Sequence, residues 1–317
     1  MITENPDVGP DALRDVVERN WHLTVTDLGF LPVGGDSWSY RSGDLFINVR
    51  EALGQRKPWS FPRDVEPSLI AAVALKQRCG LDFMLTPMPT TTGRTLARLG
   101  RYAVTLFPYI DGVPSYHESE EVTCDEQTMS WIERLHAASP AIDDLELPVE
   151  DFRADFATAL RDILDRARSD DPDGGPYAER ARALLTSAED LVMGVLAEHE
   201  SHGDALRRAP VDFVVTHGEP AGNVLLCGDG RRLLVDLVEL KRGPRERDMH
   251  DFPVEARRGS ADEAVVTYYK RGFALSEVAE YGDRLTRPHV GDDEDRRAWG
   301  YLEQYLEELR SHAGGVS

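Results

Sequence analysis

Several features are scarce or missing in this chain, and each absence excludes some classes of protein. Among 317 residues there are only three cysteines, Cys79, Cys124 and Cys227, and their spacing matches neither a disulfide framework nor a metal site. We therefore expect a reduced, cytoplasmic protein. No apolar run is long enough to cross a bilayer, and residues 1–11 are acidic and lack the apolar core of a signal peptide. We accordingly expect no membrane partner.

Basic residues are also in deficit. The chain has 36 Lys and Arg against 57 Asp and Glu, a formal net charge of −21, and its basic residues are interleaved with acidic ones. Because binding to nucleic-acid phosphates needs clustered Lys and Arg, we expect no nucleic-acid partner. An acidic protein attracts cationic small molecules, although an acidic surface also serves solubility alone, which is the simpler explanation.

The periodicity of the apolar residues changes near residue 109, which divides the chain into two parts. The first part predicts a five-stranded antiparallel sheet with one helix, and the second part predicts a mainly helical region. The predicted strands are 23–33, 37–41, 44–50, 95–98 and 101–107, and the predicted helices are 66–78, 125–138, 150–169, 176–200, 262–280 and 292–312.

The segment 214–226 carries the strongest signal for chemistry. An apolar strand leads into His217, Gly218 and Glu219, and four residues after the acid Asn223 opens another apolar run. This layout is typical of a phosphoryl-transfer catalytic loop, in which an acid orients and deprotonates a hydroxyl and an Asn holds magnesium at the nucleotide phosphates. Asp236 follows at the end of the next predicted strand. Amide and carboxylate oxygens are ligands that Mg²⁺ prefers, so Asn223 and Asp236 form a candidate metal pair.

Each of these residues also has a simpler explanation. Glu219 could be a surface acid in a turn, and Asn223 and Asp236 could merely begin and end strands. The position of Glu219 on a short loop between two apolar runs favours the general base, since a reactive carboxylate needs a rigid support. For His217 we favour a buried structural histidine over proton transfer.

At this point the chain resembles the aminoglycoside phosphotransferase family, and more narrowly its spectinomycin phosphotransferase-like branch. These are small-molecule kinases, and the likeness extends over nearly the whole chain in the order of its segments. Besides the catalytic loop, the similar segments are 30–35, 45–50, 102–109, 135–137 and 243–248. The resemblance implies an α+β, protein-kinase-like fold with two lobes. Residues 1–109 would form the small nucleotide-binding lobe, and residues 110–317 the helical lobe with the catalytic loop and acceptor site.

The resemblance also implies the cofactors and several site residues. The cofactors are ATP or GTP and Mg²⁺, with Glu219 as the base and Asn223 and Asp236 as metal ligands. Asp248 would tie a following segment to the catalytic loop. The expected nucleotide contacts are Gly34, Gly35 and Ser37 in the turn over the phosphates, Asn48 and Arg50 on the third strand, and the backbone of Phe107, Tyr109 and Ile110 at the adenine.

Three departures from the family pattern bear on activity. Asn48 stands where the third strand of these kinases carries a lysine, and Arg50 lies on the same strand face two residues further along. The interval from Glu219 to Asn223 is one residue shorter than in the family. A second acid expected two residues after Asp236 is replaced by Val238; Glu239 comes next and would face away on a regular strand, but not in an irregular turn.

The sequence therefore predicts an ATP-dependent phosphotransferase acting on a hydroxyl of a small, amine-bearing molecule such as an aminoglycoside or aminocyclitol antibiotic. Two alternatives stay open: a catalytically impaired protein that binds nucleotide or an antibiotic-like ligand, and a kinase for a metabolic alcohol such as choline or a sugar. The sequence leaves open the acceptor, ATP against GTP, and a monomer against a homodimer.

Overall fold

The computed structural model describes residues 7–33, 37–51, 64–115, 124–169, 174–257 and 261–313. The chain forms two compact units. The sheet unit comprises Ile2–Glu150 and Asp212–Ala261, and the helical unit comprises Asp151–Val211 and Asp262–Ser317. The predicted boundary between the two lobes, after residue 109, falls inside the sheet unit. The division into lobes therefore stays a prediction.

The sheet unit contains the predicted five-stranded antiparallel sheet. Its spatial order is β1-β2-β3-β5-β4. The strands are β1 (Gly29–Leu31), β2 (Trp38–Ser42), β3 (Leu45–Glu51), β4 (Ala97–Leu99) and β5 (Tyr102–Pro108). The prediction of a first strand over 23–33 is too long, because only residues 29–31 pair with β2.

The sheet unit begins with a helix that the sequence prediction missed, α1 (Pro10–Trp21). Pro10 lies in its first turn, where the missing N–H costs nothing, and the buried residues Leu13, Val16 and Val17 recur at helical spacing. They join the apolar core under the sheet together with Ile47 and Val49 of β3. The expectation of one helix in this part of the chain is therefore wrong.

The second helix, α2 (Glu66–Cys79), matches the predicted 66–78 to within one residue. Gly80 ends it in the left-handed conformation at φ 63°, as a glycine allows without strain. Glu66 is the only acidic residue of α2, and its buried carboxylate forms a bidentate pair with Arg94, with 2.5 Å between Arg94 Nε and Glu66 Oε1.

The rest of the sheet unit carries the segments of the candidate site. It comprises α3 (Glu126–Ala137) and two small antiparallel sheets, β6-β8-β9 and β10-β7. The strands are β6 (Gly112–Pro114), β7 (Val214–Thr216), β8 (Val224–Cys227), β9 (Arg232–Leu234) and β10 (Lys241–Gly243). Helix α3 agrees with the predicted 125–138, and Asp125 caps it by accepting a hydrogen bond from the Thr128 N–H.

The helical unit packs five helices around one apolar core of Leu, Ile, Val and Ala side chains. They are α4 (Ala157–Ala167), α5 (Ala178–Ser187), α6 (Glu189–Leu206), α7 (Glu263–Thr286) and α8 (Asp293–Ala313). The predicted helix 150–169 begins only at Ala157, and the predicted 176–200 is two helices separated at Ala188. Helix α7 runs past the predicted end at residue 280. Among the described residues no helix has the length and apolar character to cross a membrane.

Candidate functional site

The segment after β7 is anchored by one buried carboxylate, that of Asp248. Asp248 accepts hydrogen bonds from the backbone N–H of His217 at 3.1 Å and of Gly218 at 2.6 Å, and it contacts His136 Nε2 at 2.8 Å. Burial alone would raise the pKa of this carboxyl, but the hydrogen bond with His136 and the nearby positive charges hold it below its usual range. These contacts agree with the structural role expected for Asp248.

His217 connects this loop to the segment that carries Asp236. Its Nε2 donates to the Val235 carbonyl at 2.9 Å, and its Nδ1 accepts from the Glu219 N–H at 3.3 Å. An imidazole that donates through one nitrogen and accepts through the other is neutral. Burial lowers the pKa of His217, outweighing the opposing charge of Asp248. The histidine is thus a buried brace, as we predicted.

The interval between Glu219 and Asn223 is closed by local hydrogen bonds. The Asn223 Nδ2 donates to the Glu219 carbonyl at 2.9 Å, while the Glu219 side chain is exposed. The buried hydroxyl of Ser115, at the end of β6, donates to the Gly222 carbonyl at 3.1 Å and accepts from the Val224 N–H at 3.3 Å. No local sequence pattern singled out Ser115, because its partners lie more than 100 residues away.

Asp236 occupies a turn and not a strand end. Strand β9 stops at Leu234, and Asp236 adopts the left-handed conformation at φ 56°, ψ 55° ahead of a one-turn 3₁₀ helix, Leu237–Glu239. Its side chain is 41% exposed. The Val235 N–H donates to the Asn223 carbonyl at 2.9 Å. This bond places the candidate metal pair, Asn223 and Asp236, at the ends of neighbouring backbone segments.

The same turn brings Glu239 to the side of Asp236. The charge of Asp236 acts on the Glu239 carboxyl, so the two acids lie near each other, while Val238 packs into an apolar cluster with Leu69. Desolvation raises the pKa of the Glu239 carboxyl, Arg247 opposes that shift, and the charge of Asp236 adds to it. The irregular turn considered from the sequence is therefore present.

Strand β3 directs Arg50 towards Asp236. Ile47 and Val49 are buried in the core, so the alternation of the strand sends Asn48 and Arg50 to the opposite face. Arg50 lies 3.8 Å from the Asp236 carboxylate, and its side chain is 14% exposed.

The other predicted phosphate contacts lie partly within the described residues. Asn48 Nδ2 donates to the Ser37 hydroxyl at 2.7 Å, which brings these two residues together. Gly34 and Gly35 lie outside the described residues.

The adenine contacts were expected from backbone groups at the end of β5, and these contacts stay a prediction. The Tyr109 N–H donates to the Asp44 carbonyl at 2.7 Å, so this group is engaged within the sheet unit. The register pairs Phe107 with Phe46 two residues earlier, and backbone groups of alternate residues point to the same side of a strand. The backbone of Phe107 therefore also faces β3. The Pro108 carbonyl is directed to the other edge, where the Leu106 carbonyl accepts from the Met88 N–H.

Comparison with known proteins identified a sequence relative and several solved structures of similar fold. Protein StrN of Streptomyces griseus is 30% identical over 333 residues, which cover 98% of each chain. A crystal structure of spectinomycin phosphotransferase in complex with ADP and spectinomycin matches with a TM-score of 0.72 at 14% identity, over 96% of this chain and 98% of that one. A choline/ethanolamine kinase family protein from Mesorhizobium loti matches with a TM-score of 0.54 at 17% identity, over 92% and 89% of the two chains. No family model matches. The structural matches confirm the predicted α+β, protein-kinase-like fold.

Proposed function

Because the chain belongs to the family of Protein StrN and has the fold of the aminoglycoside phosphotransferases, we propose that it is an ATP-dependent phosphotransferase. In this proposal it transfers a phosphoryl group to a hydroxyl of a small, amine-bearing molecule. The observation that supports it most is the position of Arg50 beside Asp236, which in turn lies next to Asn223 and the loop of Glu219. A cation, two metal-ligand candidates and a candidate base thus lie along one connected set of segments.

The residues fit a magnesium ion. Asp236 offers an exposed carboxylate, and Asn223 has its amide nitrogen bonded to the Glu219 carbonyl, which leaves Oδ1 as its ligand atom. Both are oxygen donors of the kind Mg²⁺ takes when phosphates and water complete its coordination. When bound, the ion would neutralise charge on the nucleotide phosphates.

The chain's own residues would then bind and orient the nucleotide. Arg50 would contact the phosphates with charge-assisted hydrogen bonds and exchange its contact with Asp236 for them. Ser37 and Asn48, already hydrogen-bonded to each other, would lie beside the phosphates. The Pro108 carbonyl and Ile110 N–H would hold the adenine edge.

Glu219 would act as the general base. Its side chain is exposed, while its N–H is bonded to His217 and its carbonyl to Asn223. The carboxylate would take the proton of the acceptor hydroxyl as that oxygen bonds to the γ-phosphorus and the bond to the bridging oxygen of ADP breaks.

We further propose an aminoglycoside or aminocyclitol as the acceptor. Solved proteins of this fold were crystallised with spectinomycin and with hygromycin B, and the net charge of −21 favours a cationic acceptor. The free state of all three cysteines suits the cytoplasm, where ATP is available.

A transfer assay tests this proposal. Purified protein is incubated with Mg²⁺, ATP or GTP, and a panel of aminocyclitols, aminoglycosides, choline and sugars, and products are identified by mass spectrometry. We expect a phosphorylated amine-bearing product and none with Asp236→Ala. A phosphorylated choline or sugar would instead identify a metabolic kinase.

A second function, nucleotide binding without transfer, is supported by Asn48, which occupies the lysine position and bonds to Ser37. Magnesium-dependent thermal stabilisation by ATP with no product from any acceptor would favour this alternative.

A further inference from the structure

Arg247 is a buried cation directly beneath the catalytic loop. Its residue is 6% exposed, and its NH1 donates to the Thr216 hydroxyl at 3.0 Å. A Cβ on Gly218 would lie 2.3 Å from the Arg247 NH2, so the backbone next to Glu219 rests on the guanidinium. The position of this loop therefore depends on the position of the Arg247 guanidinium.

The same guanidinium also faces the turn of Asp236. Its NH2 lies 3.6 Å from the Glu239 carboxylate, at the end of the one-turn helix that begins after Asp236. Arg247 thus contacts both elements whose separation sets the distance between the proposed base, Glu219, and the proposed metal ligand Asp236.

A second carboxylate, that of Glu150, holds the arginine in place. Glu150 Oε2 lies 3.9 Å from Arg247 Nε and 3.4 Å from Lys241 Nζ. Glu239, Arg247, Glu150 and Lys241 therefore alternate in sign along one chain of contacts. A planar guanidinium can reach Thr216, Glu239 and Glu150 at once, whereas a lysine ammonium is a single point charge.

We propose that Arg247 is a positioning residue that fixes Glu219 relative to Asp236, with Glu239 as its partner on the metal side. This inference rests on the proposed function, since it assigns the arginine a task in phosphoryl transfer. Arg247 contacts neither nucleotide nor acceptor in this proposal; it acts through Gly218 and Glu239.

The first test separates turnover from binding. For Arg247→Lys and Arg247→Met we expect kcat to fall at least about tenfold, because displacements near 1 Å at reacting groups cost up to a hundredfold. Nucleotide affinity measured without Mg²⁺ should stay within about threefold of wild type, as no nucleotide contact is removed. Glu239→Gln keeps the buried arginine and should lower kcat by a smaller factor.

Arg242→Met is the matched control. Arg242 lies on β10, and its side chain bonds to the Ile142 carbonyl at 3.1 Å and pairs with Asp143 at 3.0 Å, both far in sequence from residues 217–223. We expect it to lower the melting temperature while kcat stays near wild type. Wild-type kcat in Arg247→Lys, or losses in all variants that track only the folded fraction, would overturn the proposal.

Hydrogen exchange supplies a readout independent of activity. In Arg247→Met, amides of 216–224 and of 235–240 should both exchange faster, whereas Glu239→Gln should affect mainly 235–240. If these changes occur while wild-type protein transfers no phosphate, the coupling stands and the proposed function fails. If exchange in both segments is unchanged, the positioning role is wrong.

Discussion

The side chain of Asn223 donates a hydrogen bond to the backbone carbonyl of Glu219 at 2.9 Å. This bond closes the four-residue interval between them. The interval, although one residue shorter than in the family, therefore still forms a defined loop. Ser115 holds the carbonyl of Gly222 and the N–H of Val224 from the other side. The short loop is thus fixed at both its Glu219 and its Asn223 end.

The first prediction concerns the base. Glu219→Gln should leave nucleotide binding intact and lower kcat by about a hundredfold or more, the range expected when a positioned general base is lost. Glu219→Asp should be nearly as damaging, because the bonds of Glu219 to His217 and Asn223 fix its backbone and a shorter acid cannot reach the hydroxyl.

The matched control for the base is Glu255→Gln, which alters an exposed glutamate in the 3₁₀ turn Val254–Ala256 of the sheet unit. Steady-state kinetics and calorimetry measure both quantities. Wild-type turnover in Glu219→Gln would exclude the base role.

The second prediction concerns the phosphate contact. Arg50→Ala should weaken binding of Mg-ATP by about tenfold or more, because charge-assisted hydrogen bonds to phosphate act at short range. Arg98→Ala removes an exposed arginine from β4 of the same sheet and should change affinity little. Equal effects of the two substitutions in titration calorimetry would show that Arg50 contributes only to the overall field.

The third prediction concerns Gly218, which has φ 110° and no room for a Cβ above Arg247. Gly218→Ala should destabilise the protein by about 1–3 kcal/mol through backbone strain, with the clash against Arg247 in addition. Gly222→Ala, four residues away in the same loop, meets nothing within 4 Å and should cost far less. Chemical denaturation compares the two variants, and similar losses would contradict the argument.

The fourth prediction is a pH dependence of stability that arises from His217. Burial lowers the pKa of His217 in the folded protein, whereas in the unfolded chain a histidine has a pKa of about 6.5. Above that pH both states are neutral and the full stability is present. As pH falls below it, the unfolded state binds the proton first, so stability decreases until the folded pKa is reached.

The measurement is the free energy of unfolding at several values between pH 7 and pH 5, for wild type and His217→Gln. The variant should be less stable at pH 7 and should lose less stability towards pH 5. If the free energy of unfolding depends on pH in the same way in both proteins, the conclusion that His217 is neutral in the folded protein is refuted.

The sequence predicted those features that depend on local pattern. Helix α2 and its stop at Gly80 follow from apolar spacing and one glycine, and β2, β3 and β5 follow from alternation between turns. Helix α1 was missed because its short buried face, with Leu13, Val16 and Val17, is interspersed with charged residues, so its apolar periodicity is weak.

Features that depend on contacts between residues far apart in the chain could not be predicted from local sequence patterns. The engagement of the Tyr109 N–H depends on its pairing with Asp44, and the roles of Ser115 and Arg247 depend on partners far along the chain. The turn at Asp236 is a tertiary result as well, since the buried position of Val238 determines that Glu239 faces the other side.

The pairing of Glu66 with Arg94 bears on the absence of a lysine from the third strand. In protein kinases that lysine is held by an acid of the adjacent helix, but α2 has one acid only, and Arg94 already binds it. Asn48→Lys would therefore introduce a cation without a helix partner, and restoring the lysine alone should give at most a modest rise in activity.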